Sequence, residues 1–192
     1  GENSQKLHEI LENDISLIAA DRDPNMGGVS KVLADNYKGG VLAGEHLIEK
    51  NYKNFGFIKG PPSISSAVQR FKGFKNTLQD NDIDLQDRFV FQGNFTFESG
   101  RKIAKNLLEN IDDSCLPFGL IAADDLMALG VMREVENAGL SIPQDFGVVG
   151  FDNILMARLM NPPLTTISIP AYQIGKESAK ILLDDIKRRF EG

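Results

Sequence analysis

The sequence predicts an α/β fold with doubly wound parallel sheets. Three observations lead there. Short, nearly all-apolar runs alternate with amphipathic stretches along the whole chain; the runs are too brief for helices; and no fixed-period repeat or low-complexity tract interrupts them. Strands of that kind are buried on both faces, which a parallel sheet covered by helices requires.

In chain order, a helix at Gln5 to Glu12 leads to a strand at Ile15 to Ala20 and a second at Ser30 to Ala34. A helix at Tyr37 to Lys50 precedes the strand Phe55 to Lys59. Val68, Phe71, Phe74 and Leu78 step by three or four and mark one face of the next helix. The strand Phe89 to Gln92 is followed by a helix carrying Ile103 and Leu107, and the strand Gly119 to Ala123 by one carrying Met127, Val131 and Val135. Gly139 and Pro143 supply its stop. The strands Gly147 to Gly150 and Thr165 to Ile169 and a long helix, Tyr172 to Arg189, complete the series. The opening helix has no strand before it and the closing helix none after, so the chain reads as the middle of something larger.

Composition narrows the function. The chain has 192 residues, enough for one domain or two joined lobes, and 42% hydrophobic with 25% charged residues is a globular mixture. A net charge of −6 repels nucleic-acid phosphate and anionic lipid, so this chain alone is expected to have no specific DNA affinity. The single cysteine, Cys115, makes no internal disulfide, no apolar run reaches membrane-span length, and Gly1 is followed by polar Glu2, Asn3 and Ser4. An intracellular, cytoplasmic setting without a membrane is expected.

Ligands of open α/β sheets bind beyond the carboxyl ends of the strands. Gly60-Pro61-Pro62 and the helix bearing Arg70 follow one strand; Gly93-Asn94-Phe95-Thr96 follows the next; Asp124 and Asp125, then Phe151, Asp152 and Asn153, follow the others. One guanidinium, three carboxylates and two phenyl rings at one edge suit a neutral polyhydroxyl ligand: carboxylates and Arg bond hydroxyls, and a ring face packs on sugar C–H groups. Taken singly, Arg70 reads as the partner of a surface carboxylate and Phe95 and Phe151 as core. Either aspartate at 124 or 125 suits a helix N-cap, Asp125 the better of the two. Their joint placement makes the site. Dinucleotide, P-loop and hydrolase motifs do not occur. His8 and His46 sit on separate helices without metal-ligand spacing, so no metal, no cofactor and no enzyme activity are expected. Lys187-Arg188-Arg189 ends a helix, where it complements the macrodipole.

The motifs Ala34-Asp35-Asn36-Tyr37-Lys38-Gly39-Gly40, Phe57-Ile58-Lys59-Gly60-Pro61, Arg70-x-x-Gly73-Phe74, Gly93-Asn94-Phe95-Thr96, Asp124-Asp125-x-Met127-Ala128-Leu129-Gly130, Val149-Gly150-Phe151-Asp152-Asn153 and Pro163-Leu164-Thr165-Thr166-Ile167 occur in one order. In that order and spacing the chain, from about Ile15 to Ile186, resembles the effector-binding core of the LacI/GalR family of bacterial transcriptional repressors. The resemblance implies two Rossmann-like lobes of periplasmic binding protein type I, hinged by crossovers, with the effector in the cleft. It implies that residues 36–164 form the second lobe, 165–169 a hinge crossover strand, and 1–35 and 170–192 parts of an incomplete first lobe. Arg70, Phe95, Asp124 and Asp152 fall on the family's effector-contact positions, and Ile64 and Ser66 in a loop that varies with effector. The family most often has Asn where Asp124 stands. A DNA-binding helix-turn-helix, a hinge helix and the first lobe's opening strands are not in this sequence.

The expected function is therefore effector sensing, with a sugar as effector, and dimerisation in a cytoplasmic repressor that touches operator DNA only through an amino-terminal domain. A solute-binding protein for sugar uptake is the alternative, and a sugar-modifying enzyme using Asp124 and Asp125 a third reading that lacks a base and a cofactor motif. The apolar Met127 to Met132 stretch offers surface for a homodimer, and core packing explains it equally well.

Overall fold

The computed structural model describes residues 2–13 and 15–191. They fall into two compact units, 1–34 with 170–192, and 35–169. In the first unit, α1 (Glu2–Glu12), β1 (Ile18–Ala20), β2 (Ser30–Val32) and α7 (Ala171–Glu191) occur. Strands β1 and β2 pair in parallel, Ile18 opposite Ser30, and α7 packs on both. Lys31 bonds Asp23 at 2.7 Å beside this pair, and that bond holds the Asp23 carboxyl below the usual range.

The second unit runs α2 (Asn36–Glu49), β3 (Asn54–Lys59), α3 (Ser65–Asp80), β4 (Val90–Gln92), α4 (Phe97–Glu109), β5 (Phe118–Ala122), α5 (Asp125–Asn137), β6 (Phe146–Phe151), α6 (Leu155–Leu159) and β7 (Thr165–Ile167). Its sheet is wholly parallel, in the order β4-β3-β5-β6-β7. Strand order reverses at β3, so right-handed crossovers put α3 on one face and α4 and α5 on the other. This is the doubly wound α/β arrangement the sequence predicts. The central strands β5 and β6 are buried along their whole length, as their unbroken apolar runs require. Phe118 stacks on Phe146 with ring centroids 5.2 Å apart, and Phe57 on Phe74 at 5.4 Å.

All seven predicted strands are present, with ends moved by one to three residues. Phe89 belongs to a single tight turn before β4 rather than to the strand. The five-residue α6 has no counterpart in the reading of the sequence, because little more than one turn is too short to display a helical period.

Two expectations need correction. On α3 the buried stripe is Ala67, Arg70, Gly73, Phe74, Thr77 and Leu78, and Val68 is exposed. A buried Arg occupies the stripe, and that displaces the apolar spacing. Met127 to Met132 is buried throughout, because α5 lies between β6 and α4. Core packing accounts for the whole stretch, and it offers no surface to a second copy.

Helices α2 and α3 touch backbone to backbone. A Cβ at Gly40 would lie 2.0 Å from the Arg70 carbonyl oxygen, and one at Gly73 would lie 2.1 Å from that of Tyr37. Only hydrogens fit at this crossing, and it fixes the stretch of α3 from which Arg70 projects.

Candidate functional site

The reversal of strand order at β3 opens a crevice at the carboxyl ends of β3 and β5, and Arg70 fills it. Its side chain is 5% exposed. Nε donates to Asn36 Oδ1 at 2.8 Å, Nη1 to the Ala123 carbonyl at 2.6 Å and Nη2 to Asp152 Oδ1 at 3.1 Å. The guanidinium lies over the Phe151 ring, 4.7 Å from its centroid. These bonds use three of the five N–H groups of a guanidinium; one on each terminal nitrogen is left beyond them among the described residues.

Asp152 follows β6 with φ at +101° and Asn153 has φ at +56°, two successive non-glycine residues in left-handed backbone. The turn is held by Asp152 N–H donating to the Ile167 carbonyl at 2.9 Å, which ties it to β7. The Asp152 side chain is 41% exposed, and one of its partners is the buried Arg70.

Asp124, 7% exposed, ends the loop after β5. Its Oδ1 accepts from Met127 N–H at 3.0 Å, the N-cap bond of α5, in extended backbone. Asp125, the expected cap, instead accepts from Thr166 Oγ1 at 2.6 Å and Ile154 N–H at 2.8 Å and is 1% exposed. The capping roles are thus the reverse of those read from sequence. Asp125 is turned inward and ties the start of α5 to β7 and to the loop before α6.

Burial pushes the Asp124 carboxyl up to about 6, with Asp152 and Asp125 adding repulsion and the Met127 N–H and Arg70 opposing it. Burial raises Asp125 as well, against hydrogen bonds from Thr166, Ile154 and Asn153. A carboxyl raised in the folded state lends stability below its unfolded value of about 4, and this is lost as pH rises through about 6. Asn at 124 can still cap but cannot ionise. Asp124→Asn is therefore expected to be more stable than the parent by on the order of 1–3 kcal/mol at pH 7.5, with the difference vanishing near pH 4. Urea unfolding at a series of pH values checks this, and a difference independent of pH would contradict it.

Phe95 follows β4 in left-handed backbone, φ +65°, next to a turn in which Asn94 Oδ1 accepts from Thr96 N–H and Oγ1. Its ring lies on Gly60, where a Cβ would come within 2.3 Å of Phe95 Cζ, and it is half-buried. A non-glycine residue in this conformation at a strand end marks a place where backbone strain is tolerated. Ile64 precedes α3 and packs on the core, and Ser66 lies half-buried in the first turn.

All six predicted site residues therefore stand at the carboxyl edge of one sheet. Arg70 and Asp152 are in direct contact and Asp124 is coupled to both by charge; Phe95, Ile64 and Ser66 line the same edge without a hydrogen bond to that group among the described residues. Phe151 is fully buried beneath Arg70, and Asp125 is taken up by internal bonds. Sequence reasoning missed Asn36, which N-terminates α2 and orients Arg70, and Thr166, which holds Asp125. Among the described residues no cluster of three or more His, Cys, Asp or Glu is placed to hold a metal ion, and no helix is long and apolar enough to cross a membrane.

Comparison with known proteins gives the same picture. Residues 45–191 match the family of periplasmic binding protein-like domains. The chain is 30% identical over 186 residues to the HTH-type transcriptional repressor PurR of Aliivibrio salmonicida, an alignment covering 96% of this chain and 55% of the repressor. It thus spans about half the length of the curated relatives it matches. A LacI family transcriptional regulator from Enterococcus faecium with bound ribose superposes with a TM-score of 0.82 at 30% identity, covering 94% of this chain and 65% of that one. The transcriptional regulator CelR in complex with cellobiose superposes with a TM-score of 0.81 at 27% identity, covering 98% and 65%. A wholly parallel doubly wound sheet, matched over most of its length by these proteins, identifies the chain as a member of the periplasmic binding protein-like domain family, an effector-binding core of the LacI/GalR kind.

Proposed function

We propose that this chain is the sugar-sensing and dimerising part of a cytoplasmic transcriptional repressor, a binding module and not an enzyme, which acts on operator DNA through an amino-terminal domain outside this sequence. Residues 36–164 serve as the second lobe, 165–169 as a crossover, and 1–35 with 170–192 as parts of the first. The observation that carries the reading is the Arg70–Asp152 pair, a buried cation and a half-open carboxylate 3.1 Å apart at the carboxyl edge of the sheet. Together they offer N–H donors and carboxylate acceptors to vicinal hydroxyls, with the half-buried Phe95 ring for a sugar C–H face. Asp124, Ile64 and Ser66 complete the contact set. Ribose and cellobiose in the two regulators above support a polyhydroxyl ligand. In the parent protein, effector shifts the balance between two arrangements that hold the DNA-reading heads differently.

Calorimetric titration with ribose, glucose and cellobiose tests the reading; saturable heat with one sugar is expected, and no heat with any of them overturns it. A solute-binding protein for sugar uptake would use the same edge, and the reading frame upstream separates the two: a helix-turn-helix supports the repressor, a secretory signal the rival. The curated relatives' description as repressors favours the first.

Self-association rests on apolar residues left open on three successive helices: Phe97 and Leu126 at the starts of α4 and α5, and Leu155, Met156 and Leu159 along α6, the last three 55–71% exposed. A second copy of the chain covers them. Sedimentation is expected to show a dimer, and Leu159→Glu to convert it to monomer without loss of fold; a monomeric parent at every concentration contradicts this.

A further inference from the structure

The sheet of the second unit has a second opening at its other end. A cavity of about 470 Å³ lies at the amino ends of four adjacent strands, bounded by Lys50 and Tyr52 before β3, Pro117 before β5, Pro143 and Gln144 before β6, and Pro162 to Leu164 before β7. Its volume is within the range of small-molecule sites. Its floor is apolar, formed by Leu47, Met132, Val148 and Leu164. Tyr52 shapes one wall: its ring lies on Gly147, where a Cβ would come within 2.3 Å of Cζ, and its hydroxyl donates to the Pro143 carbonyl at 2.5 Å. The phenol is thus already satisfied by the protein, and burial raises its titration above the ordinary value.

The one formally charged group on this wall is a cation, Lys50. His46 and Lys50 enter it from the last turns of α2, with the Gln144 and Thr165 side chains beside them, and no carboxylate is among the lining residues. In a chain with 27 acidic and 21 basic residues, an apolar hollow whose one formal charge is the Lys50 cation is a departure from the average surface. Complementing the carboxyl end of α2 explains why bases sit on that helix. It does not explain why Asp112, Asp113 and Asp145, which stand in the loops leading to β5 and β6, are all absent from the cavity wall.

We propose that this cavity is a second ligand site, distinct from the Arg70 edge, for a small amphipathic anion: an apolar body on Met132 and Leu164, and a carboxylate at Lys50 and His46. The charge-assisted bond to a carboxylate supplies the selectivity, and the apolar floor supplies the contact area. Because the site lies at the opposite end of the strands, it stands or falls independently of the sugar reading.

Benzoate and its neutral analogue benzyl alcohol are the probes, read by methyl NMR of the full chain labelled at its five methionines. Met132 lies on the cavity wall; Met127, whose sulfur faces Gly93 near the other sheet edge, is the internal reference. Benzoate is expected to shift Met132 and not Met127, saturating below about 10 mM, and to bind at least about tenfold more tightly than benzyl alcohol. Lys50 is exposed, so Lys50→Glu leaves the fold intact; it is expected to weaken benzoate at least about tenfold and to leave benzyl alcohol unchanged. An unmoved Met132 overturns the proposal, as does equal affinity for the two probes or a benzoate affinity indifferent to Lys50→Glu.

Discussion

Replacing Arg70 by Ala is expected to lower stability by about 3 to 5 kcal/mol, a fall in Tm on the order of 10 °C for a chain of this size. Three bonds and the contact with Phe151 disappear together. The Asp152 end contributes least, since that side chain is 41% exposed. The larger part comes from the buried end, where Ala123 O and Asn36 Oδ1 each lose their Arg70 donor and the volume of the side chain is left empty. Arg70→Lys tests the geometry. It keeps the charge but has no planar fork able to reach Asn36, Ala123 and Asp152 from one group, so it should recover less than half of the loss. Thermal unfolding of the two variants beside the parent measures both, and a Tm unchanged in Arg70→Ala would contradict the buried network.

The second large effect is expected at Gly73. Alanine favours a helix over glycine by about 1 kcal/mol, so in an open position Gly73→Ala would stabilise. Here its Cβ meets the Tyr37 carbonyl oxygen at 2.1 Å, backbone against backbone, and no side chain can yield. Helices α2 and α3 must part, and the expected result is a loss of about 2 to 3 kcal/mol. Gly175 on α7, with nothing within 4 Å of the added Cβ, is the control and should gain the ordinary helix increment. The sign of the change at Gly73, opposite to that at Gly175 in the same unfolding assay, is the result that checks the crossing. Because Gly40 opposes the Arg70 carbonyl itself, the same parting withdraws Arg70 from its crevice.

What the sequence showed and hid follows from the range of the forces involved. Strands β3, β5 and β6 were legible because a strand buried on both faces has no polar residue to tolerate, and the runs Phe57-Ile58 and Val148-Val149 announce that directly. Helix α6 was not, since its five residues make too few turns to show a period. The site residues were reachable through topology: anything that follows a parallel strand arrives at the same edge. How they share work there was not. Asp124 and Asp125 are adjacent and chemically identical, and only the extended backbone at Asp124 makes it the cap while Asp125 enters the helix and turns to Thr166. Asn36 gave no signal because its role depends on Arg70, 34 residues away, brought within reach by the Gly40–Gly73 crossing. Val68 was misread for a related reason: a buried Arg satisfied by Asn36, Ala123 and Asp152 breaks the assumption that the inward face of a helix is apolar.

In the proposed function, Arg70 and Asp152 hold the effector from the sheet edge. Asp152 is the better probe, since its side chain is 41% exposed whereas that of Arg70 is buried. The deciding measurement is calorimetric titration of the parent and Asp152→Ala with whichever of ribose, glucose or cellobiose the parent binds, with a Tm recorded for each protein. Loss of a hydrogen-bonding charge from a desolvated contact costs about 2 to 5 kcal/mol, so a fall in affinity of about thirtyfold or more is expected at a temperature where the recorded Tm shows both proteins folded. The same affinity in a folded Asp152→Ala would contradict the assignment of this edge as the effector site.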